Sequence, residues 1–302
     1  MQYSDLFEKN TGILLLALAC LAMFAPLAHA YQIKPYKDRI FKYRTPIAKE
    51  DNGDFQILPY DPKLDINKRD EMPVRKVKGY YVSSRPKRHE RDLSVSGNGK
   101  QLTHFAVGKI SGGSKMTVIF LHGRDGSRHL GFNDDKFGGN FNRVKNLMYR
   151  NSGLYISADF SDFEEEGRKD IEALVSHYRP KTTGKLVVAC GSMGSFLCWR
   201  LMKTPASNQM IDGYVIMGGF PDPAFVKTGQ VTVPAGQKPI YMAHGGIDYV
   251  YSWKDAKRFY DGLRSKAPGY PVRLVVFDGG KHGTPVRMID WRVALNWIAA
   301  QP

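Results

Sequence analysis

The residues most able to do chemistry lie in Leu186-Val187-Val188-Ala189-Cys190-Gly191-Ser192-Met193-Gly194-Ser195. An apolar, β-branched run stops at Gly191, Ser192 follows, and Phe196 to Met202 reads as a helix. A strand, a sharp turn with serine at its tip and a helix form a nucleophile elbow. A serine hydroxyl is a weak nucleophile at its own pKa and needs a base. The turn holds it away from the sheet and beside a helix N-terminus, whose free backbone N–H groups can stabilise an oxyanion. The strand and helix cross closely, so the positions two before and two after the serine must be small. Gly194 satisfies this, while Cys190 stands where the G-x-S-x-G pattern has glycine. The plainer alternative is a buried strand ending in a Gly-Ser turn, and the rest of the chain decides between them.

Such a serine requires a histidine, and the histidine an orienting acid. In open α/β sheets these groups sit in loops at the carboxyl ends of strands. Of eight histidines, His282 in Gly279-Gly280-Lys281-His282-Gly283 lies just past the last apolar run. Asp248, in Gly245-Gly246-Ile247-Asp248, follows the penultimate one and is the first candidate for the acid. Asp222 is the second, and Asp278 abuts the last strand too closely to turn toward the histidine. One oxyanion donor is the backbone N–H of Met193. The other is expected from the loop His122-Gly123-Arg124-Asp125, through the N–H of Arg124. A metal site built from His122, His244 and Asp248 is disfavoured, since no compact ligand spacing such as H-E-x-x-H is present.

These residues need a scaffold of alternating strands and helices. Early strands are expected over 77–82 and 102–107, with a charged loop over 85–91 between them. Further strands are expected over 117–121, 154–158, 186–191, 214–217, 239–243 and 272–277. Helices are expected over 141–150, 163–178, 196–202 and 253–265, with one closing helix over 285–299. Continuously apolar strands in β-α repeats imply a mostly parallel, doubly wound sheet covered on both faces. Residues 220–237 are too short for a large helical cap, which predicts an open site. Tyr249, Tyr251 and Trp253 follow Asp248, with packing their expected role and an aromatic wall the alternative.

The order Ser192, Asp248, His282, with His122-Gly123 after an earlier strand, resembles the α/β-hydrolase superfamily. The likeness is to its compact esterase-like and dienelactone-hydrolase-like members and runs from about Val74 to Ala299. It implies an α/β-hydrolase sheet with a minimal cap. It makes Ser192 the nucleophile, His282 the general base and acid, and Asp248 its orienter, with no cofactor. The implied chemistry is carboxylic ester hydrolysis through an acyl-enzyme. Peptidase, thioesterase and acyltransferase chemistry use the same constellation. A non-catalytic envelope-binding protein on the same scaffold is the alternative of another class.

The 302 residues carry a net charge of +15. Gly12 to Ala28 is almost continuously apolar and Ala28-His29-Ala30 fits a small-x-small cleavage site, so residues 1–30 read as a signal peptide of an exported protein. An uncleaved anchor is the alternative. Residues 31–72 are polar and Pro-rich with scattered aromatics, read as an extension or arm; residues 73–302 are read as the hydrolase domain. Residues 31–100 hold 17 Lys and Arg against 10 Asp and Glu. This is read first as a solvated basic surface, and second as contact with an anionic envelope surface. No recognition motif for nucleic acid appears. Past residue 30 only Cys190 and Cys198 remain of three cysteines. They are expected as small buried residues rather than as a disulfide.

Overall fold

The β-branched runs become the centre of a ten-stranded sheet. The structure is a computed structural model that describes residues 31–302; the expected leader over 1–30 lies outside the described residues. In chain order the strands are β1 (Ala48–Glu50), β2 (Phe55–Pro59), β3 (Arg91–Gly97), β4 (Lys100–Gly108), β5 (Ser114–Leu121), β6 (Leu154–Ala158), β7 (Thr182–Gly191), β8 (Gly213–Met217), β9 (Ile240–Gly245) and β10 (Val272–Asp278). Their order across the sheet is β1-β2-β10-β9-β8-β7-β5-β6-β4-β3. The seven strands from β2 to β6 in that order run parallel. Pairing is antiparallel at both ends, between β1 and β2 and among β6, β4 and β3.

The core lies in two layers because successive side chains of a strand face opposite ways. Val188, Cys190, Ile216, Met242 and Leu274 face one layer with α2 (Glu165–Tyr178), α3 (Gly194–Lys203) and α4 (Trp253–Lys266). Val187, Ala189, Val215, Met217 and Val275 face the other with α1 (Asn140–Arg150) and the C-terminal helices. Each fully buried aliphatic side chain stabilises the fold by about 1.5–3 kcal/mol, and both faces are filled this way.

Several elements differ from the expected ones. Residues 77–82 do not form a strand: Lys76–Val77 pairs briefly with Asp70–Glu71, and Gly79–Tyr81 is a 3₁₀ turn. Only Val77 in that run is buried, so no alternating face exists to dock on the sheet. The expected closing helix is two helices, α5 (Thr284–Met288) and α6 (Trp291–Ala299). Asp290 breaks it, accepting the N–H groups of Arg292 and Val293 as the cap of α6. Strand β3 begins inside the expected charged loop; it is an edge strand with only Leu93, Val95 and Gly97 turned partly inward.

The N-terminal segment enters the sheet. Strand β2 pairs parallel with β10, with Phe55 opposite Leu274 and Pro59 opposite Asp278. Phe55 fills one core layer and Leu58 the other. Asp54 accepts from Arg273 at 2.8 Å, and the Tyr43 and Tyr241 hydroxyls meet at 3.0 Å. Residues 31–302 form one compact unit. Among the described residues, no helix is long and apolar enough to cross a membrane.

Candidate active site

Ser192 sits where β7 turns into α3, in the left-handed region at φ 50°. A side chain there is strained, and the surroundings hold it. Its N–H donates to the carbonyl of Met217 at 3.0 Å, which fixes the turn to β8. A Cβ on Gly194 would lie 2.6 Å from the His122 carbonyl oxygen and 2.8 Å from that of Leu121. The helix therefore starts in backbone contact with the end of β5, which is why this position cannot carry a side chain.

Cys190 and Cys198 form a disulfide, against the expectation of two free buried residues. The elbow reverses the chain so tightly that positions two before and six after Ser192 face each other across the same core layer, with Cα atoms 6.5 Å apart. The departure from glycine at 190 thus has a structural use: its sulfur staples the strand to the helix that flank the serine.

The expected catalytic residues come together. The Ser192 hydroxyl lies 2.7 Å from His282 Nε2, and His282 Nδ1 lies 2.8 Å from Asp248 Oδ2. A carboxylate only accepts, so Nδ1 carries the proton and Nε2 is free to take one. Asp248 Oδ1 accepts from the N–H groups of Val250 at 2.8 Å and Tyr251 at 3.3 Å. Burial alone would raise the Asp248 carboxyl; the His282 hydrogen bond and the backbone donors outweigh it and hold the group below its ordinary range.

The histidine and aspartate loops are locked to one another by backbone. Gly246 N–H donates to Phe277 O at 2.7 Å, and Ile247 N–H to Gly280 O at 2.9 Å. A Cβ on Gly245 would fall 2.4 Å from Gly280 O. Gly218, at φ 57°, leaves room for the His282 carbonyl, which an added Cβ would meet at 3.0 Å. Glycines at these points let three loops converge behind the imidazole.

The His122-Gly123 turn passes directly over the serine. A Cβ on Gly123 would stand 2.8 Å from Ser192 Cβ and 3.1 Å from Gly191 O. Among the described residues, the backbone N–H groups of Met193 and Arg124 donate to no protein acceptor. The Arg124 side chain is exposed and donates from Nε to Met193 Sδ at 3.2 Å. His122 stacks on Phe160 with ring centroids 4.3 Å apart, and its Nδ1–H reaches Gly123 O at 2.8 Å. His244 is fully buried in β9, with neither ring nitrogen hydrogen-bonded; burial pushes its pKa down to about 4. Among the described residues, no three His, Cys, Asp or Glu side chains gather as a metal-binding group.

Asp222 is held elsewhere, by Lys203 at 2.7 Å. The three aromatics after Asp248 divide. Tyr251 lines the cleft, edge-on to His282 at 5.8 Å, whereas Tyr249 is 84 % exposed and Trp253 packs against the core. In front of the serine lies a cleft of about 360 Å³ walled by Phe120, Leu130, Phe137, Met217, Val250 and Val286. Sequence reasoning missed these walls, which come from six separate segments. The one local signal was Gly138-Gly139, which lets Phe137 turn inward at φ 51°. Residues 220–237 form short helical turns whose Phe225 packs with Trp199 and Phe259 on the outer helices, beside the cleft rather than across it.

Neither a protein-family model nor a curated protein sequence matches the chain. Solved structures do. The Pyrococcus furiosus esterase Pf2001 superposes with a TM-score of 0.53 at 17 % identity, over 70 % of this chain and 91 % of its own. TT1662 from Thermus thermophilus gives 0.51 at 17 %, over 70 % and 99 %. An α/β serine hydrolase without a lid from Xanthomonas campestris gives 0.50 at 17 %, over 71 % and 97 %. The sheet order, the elbow and these likenesses agree: the chain has the α/β-hydrolase fold.

Proposed function

We propose that the protein is an exported serine hydrolase that cleaves a carboxylic ester, small or polymer-borne, through an acyl-enzyme. The observation that carries this is the unbroken chain Ser192–His282–Asp248, with contacts of 2.7 and 2.8 Å, opening on an apolar cleft. His282 Nε2 takes the hydroxyl proton as Ser192 Oγ attacks the carbonyl carbon. The N–H groups of Met193 and Arg124 receive the oxyanion. The imidazolium, steadied by Asp248, gives its proton to the departing alkoxide, and the alcohol leaves. Water then attacks the acyl-serine by the same route, releasing the carboxylic acid and restoring the hydroxyl.

The cleft lies at the small end of the range for small-molecule sites and suits a short acyl chain or one ring. The esterase among the structural neighbours and the lidless serine hydrolase accord with this. Export is supported by the apolar segment with its small-x-small boundary, and by a disulfide, which persists in oxidising compartments. The test is labelling by a fluorophosphonate probe together with hydrolysis of short p-nitrophenyl esters. Both are expected in the wild type and absent in Ser192→Ala; a wild type that does neither overturns the reading.

A further inference from the structure

A second hollow, of about 520 Å³, adjoins the apolar cleft and shares Phe137 and Gly283 with it. Tyr60 and Asn67 come to it from the N-terminal segment, Arg75 from just after it, Lys136 from the turn before α1, and Lys281 and Arg287 from the stretch around His282. Four of its lining residues are cations and none is an acid. Arg287 is already committed to Asp70, through Nη1 at 3.1 Å and Nη2 at 2.5 Å. Arg75, Lys136 and Lys281 are exposed and, among the described residues, have no carboxylate within ion-pair distance. Of the carboxylates nearby, Asp65 is paired with Arg44 and Asp70 with Arg287, while Glu71, Asp135 and Asp278 neither line the hollow nor pair with its three free cations.

Three like charges without an ion-pair partner line one concave surface and favour an anion there. They are brought together from three distant segments, so neither a charge run nor a helix face explains the cluster. Its position matters for the chemistry. His282 must stand beside the oxygen that departs, since it supplies that oxygen's proton. Lys281 and Gly283, the residues on either side of His282, wall the hollow, which places it beside the cleft at its histidine end.

Resting on the ester-hydrolase reading above, we propose that this hollow is a subsite for an anionic group on the alcohol portion of the substrate. The preferred substrate is then a short acyl ester whose alcohol carries a carboxylate or a phosphate, bound by Arg75, Lys136 and Lys281. Tyr60 and Asn67 of the N-terminal segment form part of the subsite's wall.

The test uses esters with one acyl group and matched leaving groups: 3-carboxyphenyl butyrate, its neutral 3-carbamoyl isostere and the 3-phosphonophenyl analogue. At low salt the wild type is expected to favour an anionic ester over the neutral one by roughly tenfold in kcat/KM. The preference is expected to shrink in about 0.5 M salt, where the screening length is only a few ångströms. Comparing the two anions shows which the subsite takes. In Arg75→Ala/Lys136→Ala/Lys281→Ala the anionic-to-neutral ratio is expected to fall toward one, and in Lys136→Glu to fall further. Equal wild-type rates on all three esters, or a preference indifferent to salt, overturn the subsite and leave the hydrolase reading standing. Failure to hydrolyse any of them, with no fluorophosphonate labelling, overturns both.

Discussion

Replacing Asp248 by asparagine tests the site at the point where structure most constrains it. Aspartate here accepts three hydrogen bonds: two at Oδ1, from Val250 and Tyr251, and one at Oδ2, from His282. Asparagine has one oxygen and one NH₂. Keeping the oxygen toward the backbone retains two bonds, and turning it toward the histidine retains one, so the first orientation wins. The NH₂ then faces Nδ1, which must become an acceptor, and the ring proton moves to Nε2. Nε2 can no longer take the Ser192 proton. A wrong tautomer in a Ser-His-Asp chain costs roughly 10⁴ in kcat, equivalent to about 5 kcal/mol of barrier. KM should change little, because Asp248 does not line the cleft. Steady-state kinetics on p-nitrophenyl butyrate, with circular dichroism to show an intact fold, measure both. A folded Asp248→Asn that keeps more than about a tenth of wild-type kcat would refute the tautomer argument.

Gly123→Ala should fold, yet lose most fluorophosphonate labelling, because its methyl group must displace either the Ser192 side chain or the loop that offers the Arg124 N–H; unchanged labelling would show that the loop does not cross the serine. Reducing the Cys190–Cys198 bond opens a loop of sequence separation 8. On the chain-entropy estimate this costs roughly 2–3 kcal/mol, seen as a denaturation midpoint lower with reductant than without; thiol titration of the unreduced, denatured protein should find neither of these two cysteines. His244, depressed to about 4 by burial, binds its proton more weakly folded than unfolded. Its contribution is therefore intact above the ordinary histidine value near 6.5 and is lost as pH falls from there toward 4, by up to about 3 kcal/mol. Urea titrations should show a flatter acid limb in His244→Leu than in the wild type.

The parallel core was readable because a strand buried on both faces must be apolar at every position, as in Val187-Val188-Ala189. Ser192, His282 and Asp248 were readable for a related reason: once the strands are placed, the residues just beyond their carboxyl ends are few. What failed was whatever depends on long-range closure. The cleft walls come from single residues such as Leu130 and Val286, each unremarkable in its own segment. The disulfide was hidden because its closeness depends on the angle of the elbow rather than on composition. Strand β2 was hidden because a five-residue strand interrupted by Gln56 and ended by Pro59 shows no run, and its parallel partner lies more than two hundred residues away.

That pairing makes a last prediction about residues 31–72. Because β2 runs parallel to β10, both strands leave the sheet at the same end, Pro59 beside Asp278. The chain after β2 must therefore emerge beside the His282 loop, and Tyr60 does. The same segment buries Ile33, Phe41, Phe55 and Leu58. At about 1.5–3 kcal/mol each, these four side chains contribute roughly 6–12 kcal/mol, an upper figure because an unfolded chain already buries some surface. That is comparable to the whole stability of a typical domain. A fragment beginning at residue 73 should accordingly be insoluble or lack a cooperative melting transition, whereas one beginning at residue 31 should melt like the full chain. A fragment from 73 that melts cooperatively near the temperature of the longer protein would mean that the segment only rests on the sheet, and would remove the structural basis for its place at the site.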